Sequence, residues 1–332
     1  MYLTSFVIIL INYCIYYTLC AFFKNKRVPF DLLILITALL LVSVVGMHII
    51  RSKNNTGRTS FEASLITTNI PSGTSNEAKE QVAFDAVNSI HNKDSVIVLP
   101  ENVNVLPPYL ENKDKLTAPI YGDHLIIGSF SGKVVTMFFL DPKTRDVRYT
   151  GKKILMPVGE YDISWVTFLL QRTQSTDWLT NYEEHLHTSD KRPPFIFRDT
   201  LRDNLLLTGS ICAENISPYI FRDATKLGAT VLFNLASHAP FRGSPLLLRQ
   251  TMAISATRAL ENGRYYFTAS NMTKSFVITD EGNIQDVSNS KETFSHFDTR
   301  IQTKDYMTPY TLYGDYMVIV CLILFVLAFL WL

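Results

Sequence analysis

The architecture of this chain turns on Leu205-Leu206-Leu207-Thr208-Gly209-Ser210-Ile211-Cys212-Ala213-Glu214-Asn215. It opens as an apolar β-type run, breaks at small residues and ends in a thiol with a carboxylate two positions later. Cys14, Cys20 and Cys321 all lie inside long apolar segments, where a thiol acts as a small apolar filler. Cys212 alone stands outside them, so the chain outside those segments has no disulfide framework. Two readings of Cys212 stay open from this stretch alone: a buried structural cysteine, or a nucleophile at the end of a strand.

Outward from this run, short β-rich segments alternate with helical ones. The segments 63–69, 95–99, 124–130, 134–140, 205–212, 230–234, 265–269 and 275–279 read as strands rich in Val, Ile, Leu, Phe and Thr. The segment 77–92 carries Ala, Val and Ile at helical spacing, and 246–262 is a second helix with Gly263 placed as a C-cap. A shorter helix is expected over 221–227, before Gly228. The mixture predicts an α/β domain whose helices cover a largely buried sheet. Two excursions interrupt it, a loop over 106–122 and an insertion over 165–203 that opens with an apolar run.

The ends of the chain are different in kind. Residues 2–23 carry no charge, and 28–50 are interrupted only by Asp31 and His48. Each is long enough to cross a hydrocarbon layer of roughly 30 Å as a helix. Lys24-Asn25-Lys26-Arg27 between them suits a cytoplasmic hairpin, and 313–332 supplies a third apolar span. The expected organisation is therefore two transmembrane helices in 1–50, a soluble domain in 51–312 facing the periplasm or cell exterior, and a C-terminal transmembrane helix in 313–332. A formal net charge of +1 gives no electrostatic case for nucleic acid. His185 and His187 have no third ligand near them in sequence, so no metal site and no cofactor are expected.

Three further elements carry chemistry. Ser95-Val96-Ile97-Val98-Leu99-Pro100-Glu101 is a buried strand that aims a carboxylate from its C-terminal edge, where α/β proteins place ligands. The alternative is an exposed acid at a turn. Lys152-Lys153-Ile154-Leu155-Met156-Pro157-Val158-Gly159-Glu160 joins cations to an apolar run, and alone its lysines would be solvated surface charges. Ile211-Cys212-Ala213-Glu214 is the third.

Taken in order, these elements resemble the carbon-nitrogen hydrolase (nitrilase) superfamily, and within it the apolipoprotein N-acyltransferase branch. Thr67-Thr68-Asn69-Ile70-Pro71, Leu99-Pro100-Glu101, the lysine segment, the cysteine box, Arg258-Ala259-Leu260-Glu261 and Asp280-Glu281-Gly282-Asn283-Ile284 stand where that branch has its motifs. The chain is also similar to shortened, membrane-anchored relatives among conjugal-transfer proteins. It departs from the branch at Ala213, where a tyrosine is usual, and over Ser237-His238-Ala239-Pro240-Phe241-Arg242-Gly243, where the branch has Asn-Asp-Ala-Trp-Phe-Gly.

The resemblance implies a nitrilase-like α-β-β-α sandwich and a catalytic triad of Glu101, Lys152 and Cys212. It implies that Cys212 forms a thioester, with Glu101 as general base. Lys152 and the N–H of Ala213 would stabilise the oxyanion, and Glu160 and Glu214 would orient the lysine and the loops. It implies a bacterial inner-membrane protein with a membrane lipid as acyl donor and a protein amine or small amide as partner. The oligomeric state stays open, as does a role as an envelope component without turnover.

Overall fold

The computed structural model describes residues 59–92, 95–101, 103, 124–130, 135–141, 147–155, 195–199, 202, 205–288 and 292–315. The three apolar spans expected in 1–50 and 313–332 lie outside them save for residues 313–315, as do the loop 106–122 and most of the insertion 165–203. Among the described residues no helix is long and apolar enough to cross a membrane. One compact unit, Gly57–Asp305, carries almost all the described elements. Residues 306–315 belong to a second unit, in which Thr308 caps a five-residue helix, Pro309–Tyr313, by accepting the N–H of Thr311 at 3.0 Å.

The strands of the large unit are β1 (Ser60–Thr68), β2 (Val96–Val98), β3 (Leu125–Phe130), β4 (Thr136–Leu140), β5 (Val147–Gly151), β6 (Phe197–Arg198), β7 (Leu206–Ile211), β8 (Val231–Ser237), β9 (Tyr265–Asn271), β10 (Phe276–Ile278), β11 (Ile284–Val287) and β12 (Phe294–Gln302). Its α-helices are α1 (Asn76–Asn88), α2 (Pro218–Lys226) and α3 (Pro245–Asn262). The strand order β5-β4-β3-β2-β1-β9-β8-β7-β6 falls into two leaves, joined at the β1–β9 boundary by a single residue pair, Thr68 with Asn271. β12 covers the other edge of β1 through nine antiparallel pairs, from Ser60–Gln302 to Thr68–Phe294.

Side-chain alternation decides how the leaves pack. Leu65, Val96, Val98, Ile127, Met137 and Phe139 from one leaf share a core with Leu207, Ile211, Phe233, Leu235 and Phe267 from the other. Their sequence neighbours point the opposite way. Ile66, Ile97, Leu99, Ile126 and Phe138 bury Ala83, Ala86 and Val87 of α1. Leu232, Tyr266, Phe276 and Ile278 bury Phe221 of α2 and Ala259 of α3. The layers therefore run helix, sheet, sheet, helix, the α-β-β-α arrangement expected. Each fully buried apolar side chain contributes about 1.5–3 kcal/mol. The central contact is also aromatic: Phe139 stacks on Phe197 at 5.0 Å, and Phe233 meets Phe267 at 5.2 Å. Gly209 is needed where β7 meets β4, because a Cβ there would come within 2.9 Å of Met137 Sδ.

Strands covered on both faces read as unbroken apolar runs, and these are the ones expected from sequence. β8 extends three residues beyond the expected 230–234, because Leu235, Ala236 and Ser237 remain paired to β9. α1 stops at Asn88, four residues short of the expected end, where the Ser89 hydroxyl folds back onto Ala86 O. The expected glycine stop of α3 is present: Gly263 holds φ 62 and its N–H returns to Ala259 O.

Candidate active site

Glu101 follows β2, whose last turn is fixed by Leu99 N donating to Ile127 O at 2.8 Å. The carboxylate is buried at 4% exposure, so the exposed-acid alternative does not hold. Its Oε2 accepts the backbone N–H of Ser237 at 3.0 Å, and its Oε1 lies 3.7 Å from Lys152 Nζ. Lys152 follows β5, with its backbone N–H anchored to Val135 O at 2.7 Å. Its side chain is fully buried, which excludes a solvated surface lysine and leaves Lys153 as the more accessible of the two. A buried cation needs its counter-charge: removing either partner alone costs about 3–5 kcal/mol.

Cys212 follows β7 and opens a 3-10 turn, Cys212–Ile216. It is a thiol rather than half of a disulfide, partly buried against the inner core. Its backbone takes φ 52, a left-handed conformation that costs a non-glycine residue about 1–2 kcal/mol. Ala213 is next in the turn, whose opening N–H groups have no intrahelical acceptor of their own. Glu214, at 4% exposure, reaches back to hold the turn. Its Oε2 accepts Ile211 N–H at 2.8 Å, while its Oε1 accepts the N–H groups of Lys153 and, at 3.1 Å, of Ile154. One carboxyl thus ties the cysteine turn to the lysine segment. Burial pushes the Glu214 carboxyl up from its ordinary range, with the three N–H donors and Lys152 opposing in part. Burial also pushes the Lys153 ammonium down, with Glu214 opposing.

Ser237 and Asn271, at the ends of β8 and β9, complete the arrangement and were not foreseen as site residues. Asn271 accepts Thr68 Oγ1 at 3.0 Å and Ile70 N–H at 2.8 Å. It donates to Ile70 O at 2.9 Å and to Ser237 Oγ at 3.2 Å. His238 is buried between Thr273, which meets its Nδ1, and Thr251, 3.4 Å from Nε2, and burial pushes its imidazole down to about 4. Arg242 at φ 50 and Met272 at φ 65 share the left-handed backbone of Cys212. Cys212 and Met272 directly follow β7 and β9, and Arg242 ends the 3-10 turn Ala239–Phe241 after β8. Backbone strain of this kind collects at functional sites. The signal available in sequence was positional: polar residues ending three apolar strands that lead to one sheet edge.

Of the residues expected at the site, Glu101 and Lys152 are in contact, and Glu214 links Lys152's segment to the turn of Cys212 and Ala213. Glu160 lies outside the described residues. Glu214 ties the turn that carries the thiol to the segment that carries the buried Lys152–Glu101 pair. A thiol, a cation and a carboxylate on segments linked in this way fit nucleophilic attack on a carbonyl. Among the described residues no group of His, Cys, Asp and Glu gathers to hold a metal ion.

Known proteins agree with this architecture. A CN-hydrolase superfamily protein of Xanthomonas campestris, with an arsenic adduct in its active site, matches with TM-score 0.51 at 12% identity, over 74% of this chain and 91% of that one. Nit3 of Saccharomyces cerevisiae, a branch 10 nitrilase superfamily member, matches with TM-score 0.51 at 12% identity, over 78% and 94%. The amidase of Nesterenkonia sp. AN1, in a mutant covalently modified by the acetamide moiety of fluoroacetamide at its active site cysteine, matches with TM-score 0.51 at 13% identity, over 79% and 98%. At these identities the likeness establishes the fold alone. A comparison with curated proteins finds no match. The family profile described as carbon-nitrogen hydrolase matches residues 133–298, a stretch that contains Lys152 and Cys212 and begins after Glu101. The chain belongs to the carbon-nitrogen hydrolase family.

Proposed function

We propose that this protein is a membrane-anchored acyltransferase or amidase that works through a thioester on Cys212. The reading is carried by one observation: Glu101 and Lys152, buried 3.7 Å apart, stand beside Ser237, while Glu214 clasps the lysine segment to the strained turn of Cys212. Cys212 Sγ attacks the carbonyl carbon of an amide or ester and passes its proton to Glu101. The Lys152 ammonium and the Ala213 N–H hold the resulting oxyanion. The tetrahedral species collapses, the leaving amine or alcohol takes the proton from Glu101, and the acyl group remains as a thioester. An amine or water then gives a proton to Glu101 and attacks the thioester. The thiolate leaves and recovers that proton.

The membrane part of the proposal rests on the uncharged run 2–23 and on the apolar runs 28–50 and 313–332. They support an inner-membrane location with the domain on the periplasmic side. There a phospholipid would be the acyl donor and a protein N-terminal amine the acceptor, as in apolipoprotein N-acyltransferases. A second reading, an envelope component of a conjugal-transfer system without turnover, draws on the altered segment 237–243, whose His238 is buried and neutral.

The test is intact-mass spectrometry of the full-length protein after incubation with phospholipid and with simple amides. The wild type should gain an acyl mass that hydroxylamine removes and that maps to Cys212, and Cys212→Ala should gain none. A folded wild-type protein that acylates with neither class of probe overturns the proposal. Full biological complementation by Cys212→Ala would instead establish the second reading.

A further inference from the structure

The buried polar groups at the joint between the leaves point beyond the triad. We infer that Asn271 is a positioning residue for the general base, acting through Ser237. The inference rests on the proposed role of Glu101. Asn271 is 4% exposed and belongs to the one residue pair, with Thr68, that joins β1 to β9. Its amide is engaged on both sides: across the joint Oδ1 takes Thr68 Oγ1 and Ile70 N–H and Nδ2 gives to Ile70 O, while within its own leaf Nδ2 also gives to Ser237 Oγ of the neighbouring β8. Its backbone carbonyl accepts His238 N–H at 3.0 Å, so Ser237 is held from its side chain and from the next peptide. What Ser237 does with that fixed position is to aim its own N–H at Glu101 Oε2 at 3.0 Å.

A backbone N–H aimed at a carboxylate favours its ionised form and fixes which oxygen is turned toward the proton donor. Oε2 is occupied by Ser237, and Oε1 faces Lys152. Loosening Ser237 frees the carboxylate to rotate and withdraws a donor from its charged form. Asn271 touches neither the thiol nor the carboxylate in this arrangement, so it acts through alignment alone. The same knot makes the meeting of the two leaves and the alignment of the base one structural event.

The prediction is read on Cys212 itself, without knowledge of the substrate. Full-length protein is treated with iodoacetamide from pH 5 to 9, and the rate of carbamidomethylation at Cys212 is followed by peptide mass spectrometry. In that reaction Sγ bonds to the methylene carbon, iodide leaves, and the thiol proton goes to the base. Ser237→Ala removes the hydroxyl held by Asn271 and keeps the N–H that meets Glu101. Asn271→Ala removes the whole amide, and with it the donor to Ser237 Oγ. Each should move the acid limb of the profile upward by about one pH unit and slow alkylation about tenfold at pH 6. The double variant should shift no further than either single one, because both cut the same link.

Glu101→Gln is the control on the underlying reading. A profile unchanged by Glu101→Gln removes Glu101 as the base and the positioning role with it. A limb that moves in Glu101→Gln but stays in place in Ser237→Ala overturns the positioning role alone. So does a double variant whose shift is the sum of the two single shifts.

Discussion

Replacing Glu214 by alanine tests the clasp that holds the cysteine turn against the lysine segment. Three backbone N–H groups lose their acceptor. They are not equal, because Ile211 is 1% exposed, Lys153 is half-buried and Ile154 is 40% exposed, so water can replace the carboxyl at Ile154 and in part at Lys153. The stranded Ile211 N–H costs about 1–3 kcal/mol, and the buried methylene lost beyond Cβ about 0.8 kcal/mol more. Release of a carboxyl that resists burial offsets part of this. The net destabilisation is about 2–3 kcal/mol, a fall in Tm of about 5–10 °C for a unit of this size. Thermal unfolding of the full-length protein in detergent, followed by tryptophan fluorescence, measures it. The pH dependence adds a signed test. Burial holds the folded Glu214 carboxyl above its ordinary value of 4.5, so the folded state keeps a proton the unfolded chain releases. Its contribution is complete below 4.5 and declines as pH rises through the raised pKa. The advantage of wild type over the non-titrating Glu214→Gln should therefore shrink as pH rises above 4.5. A Glu214→Ala protein within 2 °C of wild type refutes the clasp, on the same scale of Tm against stability. An advantage that grows with pH refutes burial as the dominant influence on this carboxyl.

Two more predictions follow from the same packing. His238 is held down to about 4 by burial, so its neutral form is favoured on folding. Its contribution is present above the unfolded value of 6.5 and is lost as pH falls toward 4, by at most about 3 kcal/mol. Urea unfolding at pH 7, 5 and 4 should show this loss in wild type and a smaller one in His238→Gln. Gly209→Ala places a Cβ 2.9 Å from Met137 Sδ and 3.3 Å from Phe233 Cβ, and should destabilise the fold by about 1–3 kcal/mol. If the sulfur is the obstacle, Met137→Ala should cost less in the Gly209→Ala background than in wild type, and equal costs would assign the clash to Phe233.

The central strands were legible because burial on both faces leaves an unbroken apolar signature, as in Val96–Val98. β5, β6, β11 and β12 were not, because strands at or near the margins alternate with polar residues and take their place from partners distant in sequence. β12 is the plainest case: Phe294–Gln302 carries only two fully buried residues, yet it pairs along the whole of β1. At the site, Glu101, Cys212 and Glu214 stood out because each is a chemically distinctive residue at the end of an apolar run, and Lys152 because it precedes one. Ser237 and Asn271 carry no such mark. Their place is defined by the approach of β1 to β9 and by the aim of a backbone N–H, neither of which has a side-chain spelling. Lys152 differs from Lys153 only by a register that places one in the interior and leaves the other half-exposed, and the family resemblance pointed to that register.

The left-handed backbone at Cys212 bears on how such a chain can change over time. A glycine there would relieve about 1–2 kcal/mol, so stability alone favours losing the thiol at the cheapest possible replacement. Between Ile211 and Ala213, drift unopposed by chemistry runs downhill toward an inert protein of the same shape. A lineage that has abandoned turnover should therefore carry glycine at position 212 more often than alanine or serine.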